Sequence, residues 1–190
     1  GSVGAVSMIA LRNILIFLAA FLAVFWEAAF PGIRNVLGAQ VSLLPALMVY
    51  AALSAGLTIM ALLALVSGLL FDSLSANPLG VSILPLFAVG LLIYLRRDLL
   101  LREQAFAQIV LGFLASALVP LEIVLLLLTL GETPLLGWGS LWQWLVMSVG
   151  GAVVTPIFFT LFGWFNRVLG YRPVVETSFR PDREIRRGRN

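Results

Sequence analysis

The sequence has no cysteine, no histidine and no lysine, and all twelve of its basic residues are arginine. These absences exclude disulfides, thiolate nucleophiles, Cys/His metal sites and Schiff-base lysines. Charge is also scarce. Only 11% of the 190 residues are charged, against roughly 25% in an average soluble domain. What is present is apolar side chain: 61% of residues are hydrophobic and the mean hydropathy is +1.07. A soluble fold of this size could not hide so much apolar surface behind so few polar groups. In a bilayer the problem vanishes, because lipid tails are the solvent.

The apolar residues form continuous Leu-rich runs rather than alternating strands, which argues for helices and against a β-barrel. A crossing helix needs ~20 apolar residues. One span is expected from Asn13 to Phe30, ended by Pro31-Gly32. The uncharged stretch from Val41 to Phe71 would be ~46 Å long as one helix, too long for a ~30 Å hydrocarbon core. Its small residues Ser54-Ala55-Gly56 suit a tight turn, giving two short helices, Leu43–Leu53 and Leu57–Phe71; one long tilted helix is the alternative. A turn at Asp72–Pro78 leads to a fourth span, Leu79–Leu95, stopped by Arg96-Arg97-Asp98. A fifth span is expected over Phe106–Leu130 and a sixth over Leu141–Phe165, the last opened by Trp138, Trp142 and Trp144, which suit a headgroup interface. The expected architecture is thus all-α and polytopic, with six short transmembrane helices over residues 8–165. Residues 1–7 read as an expression remnant ahead of Met8, and residues 166–190 as a basic tail.

Charge tests this count. Six spans put both termini on one side, together with eleven of the twelve arginines; only Arg34 lies opposite. The positive-inside rule makes the arginine-rich side cytoplasmic. The tail holds Arg167, Arg172, Arg180, Arg183, Arg186, Arg187 and Arg189 against three acids. Such a segment is drawn to anionic lipid by ~1 kcal/mol per basic residue, and could also dock a cytoplasmic partner. With little aromatic or Gly interleaving, it does not read as a nucleic-acid site.

Three acids lie at membrane level, where an ionisable residue is a functional candidate because burying charge is costly. They are Glu27 near the end of span one, Asp72 at the end of span three, and Glu122 within span five. Glu27 and Asp72 are close enough to the interface for hydration. Glu122 is deeper and must be either protonated or met by a donor on another helix or subunit. The chain has no Lys or His proton relay, no paired broken helices and no protease dyad or zinc motif. Neither catalysis nor a cofactor is called for. Ser148-x-x-Gly151 and Ser54-x-Gly56 would allow close helix approach, most simply inside a compact bundle.

One stretch is more specific. In Ser67-Gly68-Leu69-Leu70-Phe71-Asp72-Ser73-Leu74-Ser75-Ala76-Asn77-Pro78-Leu79-Gly80-Val81, an apolar helix carries a Gly and, four residues on, an Asp. A small polar turn and a Leu-Gly pair come next. This resembles the central signature of the bacterial rod-shape-determining protein MreD family, with Gly68, Asp72, Leu79 and Gly80 on the matching positions. Pro78 suits the start of the next helix. Chain length, the basic break after span four, and Gly151 and Pro156 in the last helix agree, so the likeness runs from about Met8 to Arg167. The long tail and the Trp-rich loop are less typical of the family.

The resemblance implies a non-enzymatic scaffold of the cell-elongation complex in the inner membrane. It would bind MreC directly, and through it join the MreB filament to RodA and a penicillin-binding transpeptidase in peptidoglycan synthesis. The family is similar in fold to the small-molecule-binding subunits of energy-coupling-factor transporters. Such a subunit is the alternative function, with Glu27, Asp72 and Glu122 around an outer cavity and a docking face on the first helix, for which Ala19-Ala20-x-x-Ala23 is a weak match. From the residues themselves, Asp72 should accept hydrogen bonds from the turn or from the start of span four and so fix that hairpin, because a carboxylate at a helix C-terminus opposes the dipole.

Overall fold

The computed structural model describes residues 2–29, 32–75, 78–98, 104–134 and 137–170. Among them there are helices and connecting turns but no strand. In chain order the helices are α1 (Ser2–Ala29), α2 (Gly32–Leu37), α3 (Leu44–Ser54), α4 (Leu57–Leu74), α5 (Ile83–Arg96), α6 (Ala105–Thr129) and α7 (Trp138–Gly170). Four stretches are long and apolar enough to cross a membrane: Ile9–Ala29, Leu57–Leu74, Ala105–Thr129 and Trp138–Val168. Length and composition therefore make this a multi-pass membrane protein. Two further apolar helices, Leu44–Ser54 and Ile83–Arg96, are shorter.

The long apolar stretch does divide at Ala55-Gly56. Ala55 leaves the helical region with ψ 173° and its N–H bonds back to the Ala51 carbonyl, while extended Gly56 precedes α4. All eleven residues of α3 are buried, as expected of a helix that is apolar on every side. It packs against α1, α4, α5, α6 and α7 and forms the centre of the bundle. Tyr50 anchors its far half: its ring stacks on Phe162 at 4.3 Å and meets Phe159 edge-on at 5.0 Å.

The largest helix pair is α6 with α7. A Cβ placed on Gly151 would lie 2.5 Å from Ser116 Cβ and 2.7 Å from the Gly112 carbonyl oxygen. One on Gly112 would lie 2.7 Å from Thr155 Cβ. The two backbones touch through Gly112-x-x-x-Ser116 and Gly151-x-x-x-Thr155, the small-residue spacing by which membrane helices gain packing contact. Gly151 thus serves internal packing. Gly56 does not: nothing lies within 4 Å of a Cβ built there, so it serves the turn. Pro120 and Pro156 sit inside α6 and α7. The missing N–H of Pro120 deprives the Ser116 carbonyl of its helical donor, and one residue further the Trp144 indole N–H donates to the Ala117 carbonyl at 2.9 Å.

Several boundaries differ from those expected. α1 reaches back to Ser2, through the stretch read as a remnant, and α2 was not foreseen. α7 runs through Asn166 and Arg167 to Gly170, so the first residues assigned to the tail continue the last helix. The start of the fourth span moves from Leu79 to Ile83. Gly80 has φ +94°, which a right-handed helix cannot contain. Residues 79–82 are instead a turn closed by Val81 N–H to Pro78 O and Ile83 N–H to Gly80 O, both 3.3 Å. Pro78 therefore precedes this turn rather than opening the helix.

Candidate functional site

The turn before α5 exists to meet one side chain. Asp72 lies in the last turn of α4 and is 2% exposed. Its Oδ2 accepts the N–H groups of Gly80 at 2.8 Å and Ser82 at 3.1 Å, and its Oδ1 accepts the Ser82 hydroxyl. A buried carboxylate is tolerated when its lone pairs are filled in this way. Ser82 is the N-cap position of α5 and makes no side-chain cap bond of its own. The carboxylate of α4 therefore binds the N-cap residue of α5 and the turn just before it, near the positive end of the α5 dipole. Being last on α4 is unfavourable for Asp72 in isolation; being first against α5 compensates. The left-handed φ of Gly80 points its N–H at the carboxylate, and a residue with a Cβ would resist that φ.

Gly68 completes the joint one helical turn earlier. A Cβ on it would lie 2.8 Å from Ile83 Cγ1 and 2.9 Å from Ile83 Cα. The bare backbone of α4 is what lets the first residue of α5 close over it. Of the motif residues, Gly68, Asp72 and Gly80 thus meet in one hairpin, whereas Pro78 and Leu79 are exposed, Leu79 at 71%. Ser82, which supplies two of the three donors to Asp72, was missed by sequence reasoning. A serine ten residues beyond an aspartate carries no local signal.

A second polar joint surrounds Glu27. Its Oε1 accepts the Leu43 N–H at the start of α3, and its backbone carbonyl accepts Gln40 Nε2 at 3.1 Å. Gln40 in turn exchanges two bonds with Gln143 of α7: Gln40 N–H to Oε1 at 2.9 Å and Gln143 Nε2 to the Gln40 carbonyl at 2.8 Å. Trp142 Nε1 donates to the Leu37 carbonyl at 2.8 Å. The segment between α2 and α3 is thereby tied to the end of α1 and the start of α7. Glu27 is half-buried in this joint rather than simply hydrated at an interface. The glutamines were not singled out from sequence, although an amide within an apolar run is itself a signal that a partner exists. Trp142 and Trp144 turn out to spend their N–H groups on this chain's own carbonyls.

Glu122 differs. It is half-buried on α6 and makes no hydrogen bond or ion pair among the described residues. The three membrane-level acids do not converge: each belongs to a different part of the bundle, on α1, α4 and α6. Arg167 is exposed in the last turn of α7. Arg172, Arg180, Arg183, Arg186, Arg187 and Arg189 lie outside the described residues.

Compared with protein-family models, curated proteins and solved structures, the chain matches none.

Proposed function

We propose that this chain is a non-catalytic membrane scaffold of the bacterial cell-elongation complex, binding MreC directly and, through it, serving MreB, RodA and a penicillin-binding transpeptidase. In this reading α1, α3, α4, α5, α6 and α7 make six crossings of the inner membrane, both termini are cytoplasmic, and the fold is of the kind found in energy-coupling-factor substrate-binding subunits. The shortness of α3 and α5 suits such a bundle.

One observation carries the reading: three of the four residues by which the sequence resembles the MreD signature act together. Gly68, Asp72 and Gly80 form a single joint that sets the angle between α4 and α5. A motif of that kind shapes a surface rather than a reaction centre, and its buried carboxylate has its lone pairs filled by the protein itself. The chemistry open to this chain, without thiol, imidazole or amine side chains, also favours a scaffold. The basic end, Arg167 with the arginines beyond it, would contact anionic lipid or a cytoplasmic partner.

The test is affinity purification from the native membrane, with identification of the companions by mass spectrometry. MreC together with a penicillin-binding transpeptidase is the expected result. A pair of ATPases with a coupling subunit would overturn it in favour of a transporter's small-molecule-binding subunit.

A further inference from the structure

Two of the three membrane-level acids have backbone donors from their own chain: Leu43 N–H for Glu27, and the Gly80 and Ser82 N–H groups for Asp72. Glu122 has none among the described residues. It lies seven residues before the end of the 25-residue α6. At ~1.5 Å per residue that is ~10 Å from the helix end. The helix itself is only ~7 Å longer than the ~30 Å hydrocarbon core, so the carboxyl sits inside the core. Around it α6 presents Leu121 at 48%, Leu125 at 55% and Leu128 at 50% exposure, while Ala115 and Val119 on the other side are buried in the bundle. Glu122 stands at the edge between these faces.

Lipid supplies no donor at that depth, and a carboxyl left bare there is costly. A second copy of the chain offers no basic residue inside its spans at this level; its Gln143 amide is spent on the Gln40 backbone and its Gln40 amide N–H on the Glu27 carbonyl. We propose that the α6 face formed by Glu122, Leu121 and Leu125 docks a transmembrane helix of another protein that carries a basic or amide side chain in its outer half. The leucines supply van der Waals packing and the carboxyl accepts the donor, which fixes the register of the incoming helix.

This docking face rests on the scaffold reading, naming the surface that a membrane-spanning partner uses, and it can fail separately. Place p-benzoyl-phenylalanine at position 125 of the full chain in its native membrane, with position 65 on α4 as control, irradiate, and map the crosslinked peptide. The expected product at 125, and not at 65, is a transmembrane segment of another protein with Arg, Lys, Asn or Gln in its outer half. Glu122→Leu lowers that yield about fivefold, as loss of one intramembrane hydrogen bond of ~1 kcal/mol would, while Glu122→Gln retains it. Crosslinks only to lipid or to a second copy, or an unchanged yield in Glu122→Leu, overturn the proposal. If MreC co-purifies but no helix is captured at 125, the surface is wrong and the scaffold reading stands. If the captured helix belongs to a transporter's coupling subunit, the surface stands and the scaffold reading falls.

Discussion

Asp72 on α4 and Glu122 on α6 are carboxyl groups in helices of similar apolar character, yet among the described residues only Asp72 of the two meets donors. The difference lies in the path of the chain beyond each of them. Beyond Asp72, the turn that precedes α5 brings the Gly80 and Ser82 N–H groups onto the carboxylate. After Glu122 the helix continues to Thr129, so every nearby backbone N–H is already committed to its i−4 carbonyl. A carboxylate near a helix end can be capped by its own hairpin. One embedded in a continuing helix needs a side chain from elsewhere.

This comparison can be broken by measuring stability of the isolated protein in detergent. The largest effect should come from Asp72→Ala, which strands the Gly80 and Ser82 donors in a buried site. We expect a loss of about 4 kcal/mol, with a fall in folded yield, and about half that for Asp72→Asn, which keeps a carbonyl acceptor. Next is Gly151→Val, expected to cost about 3 kcal/mol by forcing α6 and α7 apart where their backbones touch. This effect is independent of either carboxylate and calibrates them against pure packing. Gly68→Ala should cost about 2 kcal/mol through collision with Ile83, only partly relieved by Ile83→Ala because the Ile83 Cα is itself 2.9 Å away. Trp144→Phe should cost about 1 kcal/mol by removing the indole N–H that bonds the Ala117 carbonyl. Glu122→Leu should be smallest, neutral or slightly stabilising, since no bond among the described residues is lost. Thermal unfolding monitored by tryptophan fluorescence reads each of these variants. A Glu122→Leu loss comparable to that of Asp72→Ala would erase the distinction.

Much of the helical layout was legible in the sequence because apolar run length sets it. The division at Ala55-Gly56 followed from run length together with the small residues Ser54-Ala55-Gly56, and the α6 boundaries shifted by only one residue at each end. Where the reading missed, the cause was non-local. The start of α5 was placed four residues early because Leu79-Gly80-Val81 is as apolar as the helix it precedes; only the positive φ of Gly80 and the pull of Asp72 make it a turn. The role of Asp72 was anticipated from dipole chemistry, but its strongest partner, Ser82, was not, since nothing local marks it. Gly112-x-x-x-Ser116 was overlooked because small residues in an apolar run become meaningful only when the facing helix is known. The Gln40–Gln143 exchange joins residues 103 positions apart, beyond the reach of any pattern.

The central claim is that the Asp72 carboxylate holds the start of α5 through the Gly80 and Ser82 N–H groups. Residue-resolved hydrogen exchange on the folded protein in detergent tests it most directly. In the unmodified chain both amides should be strongly protected although they lie in a turn. In Asp72→Asn, chosen because it keeps a carbonyl acceptor and the smaller expected loss of stability, their exchange should accelerate while the α6–α7 amides stay as slow as before. Fast exchange at Gly80 and Ser82 in the unmodified chain, or rates unchanged by the substitution, would contradict the account.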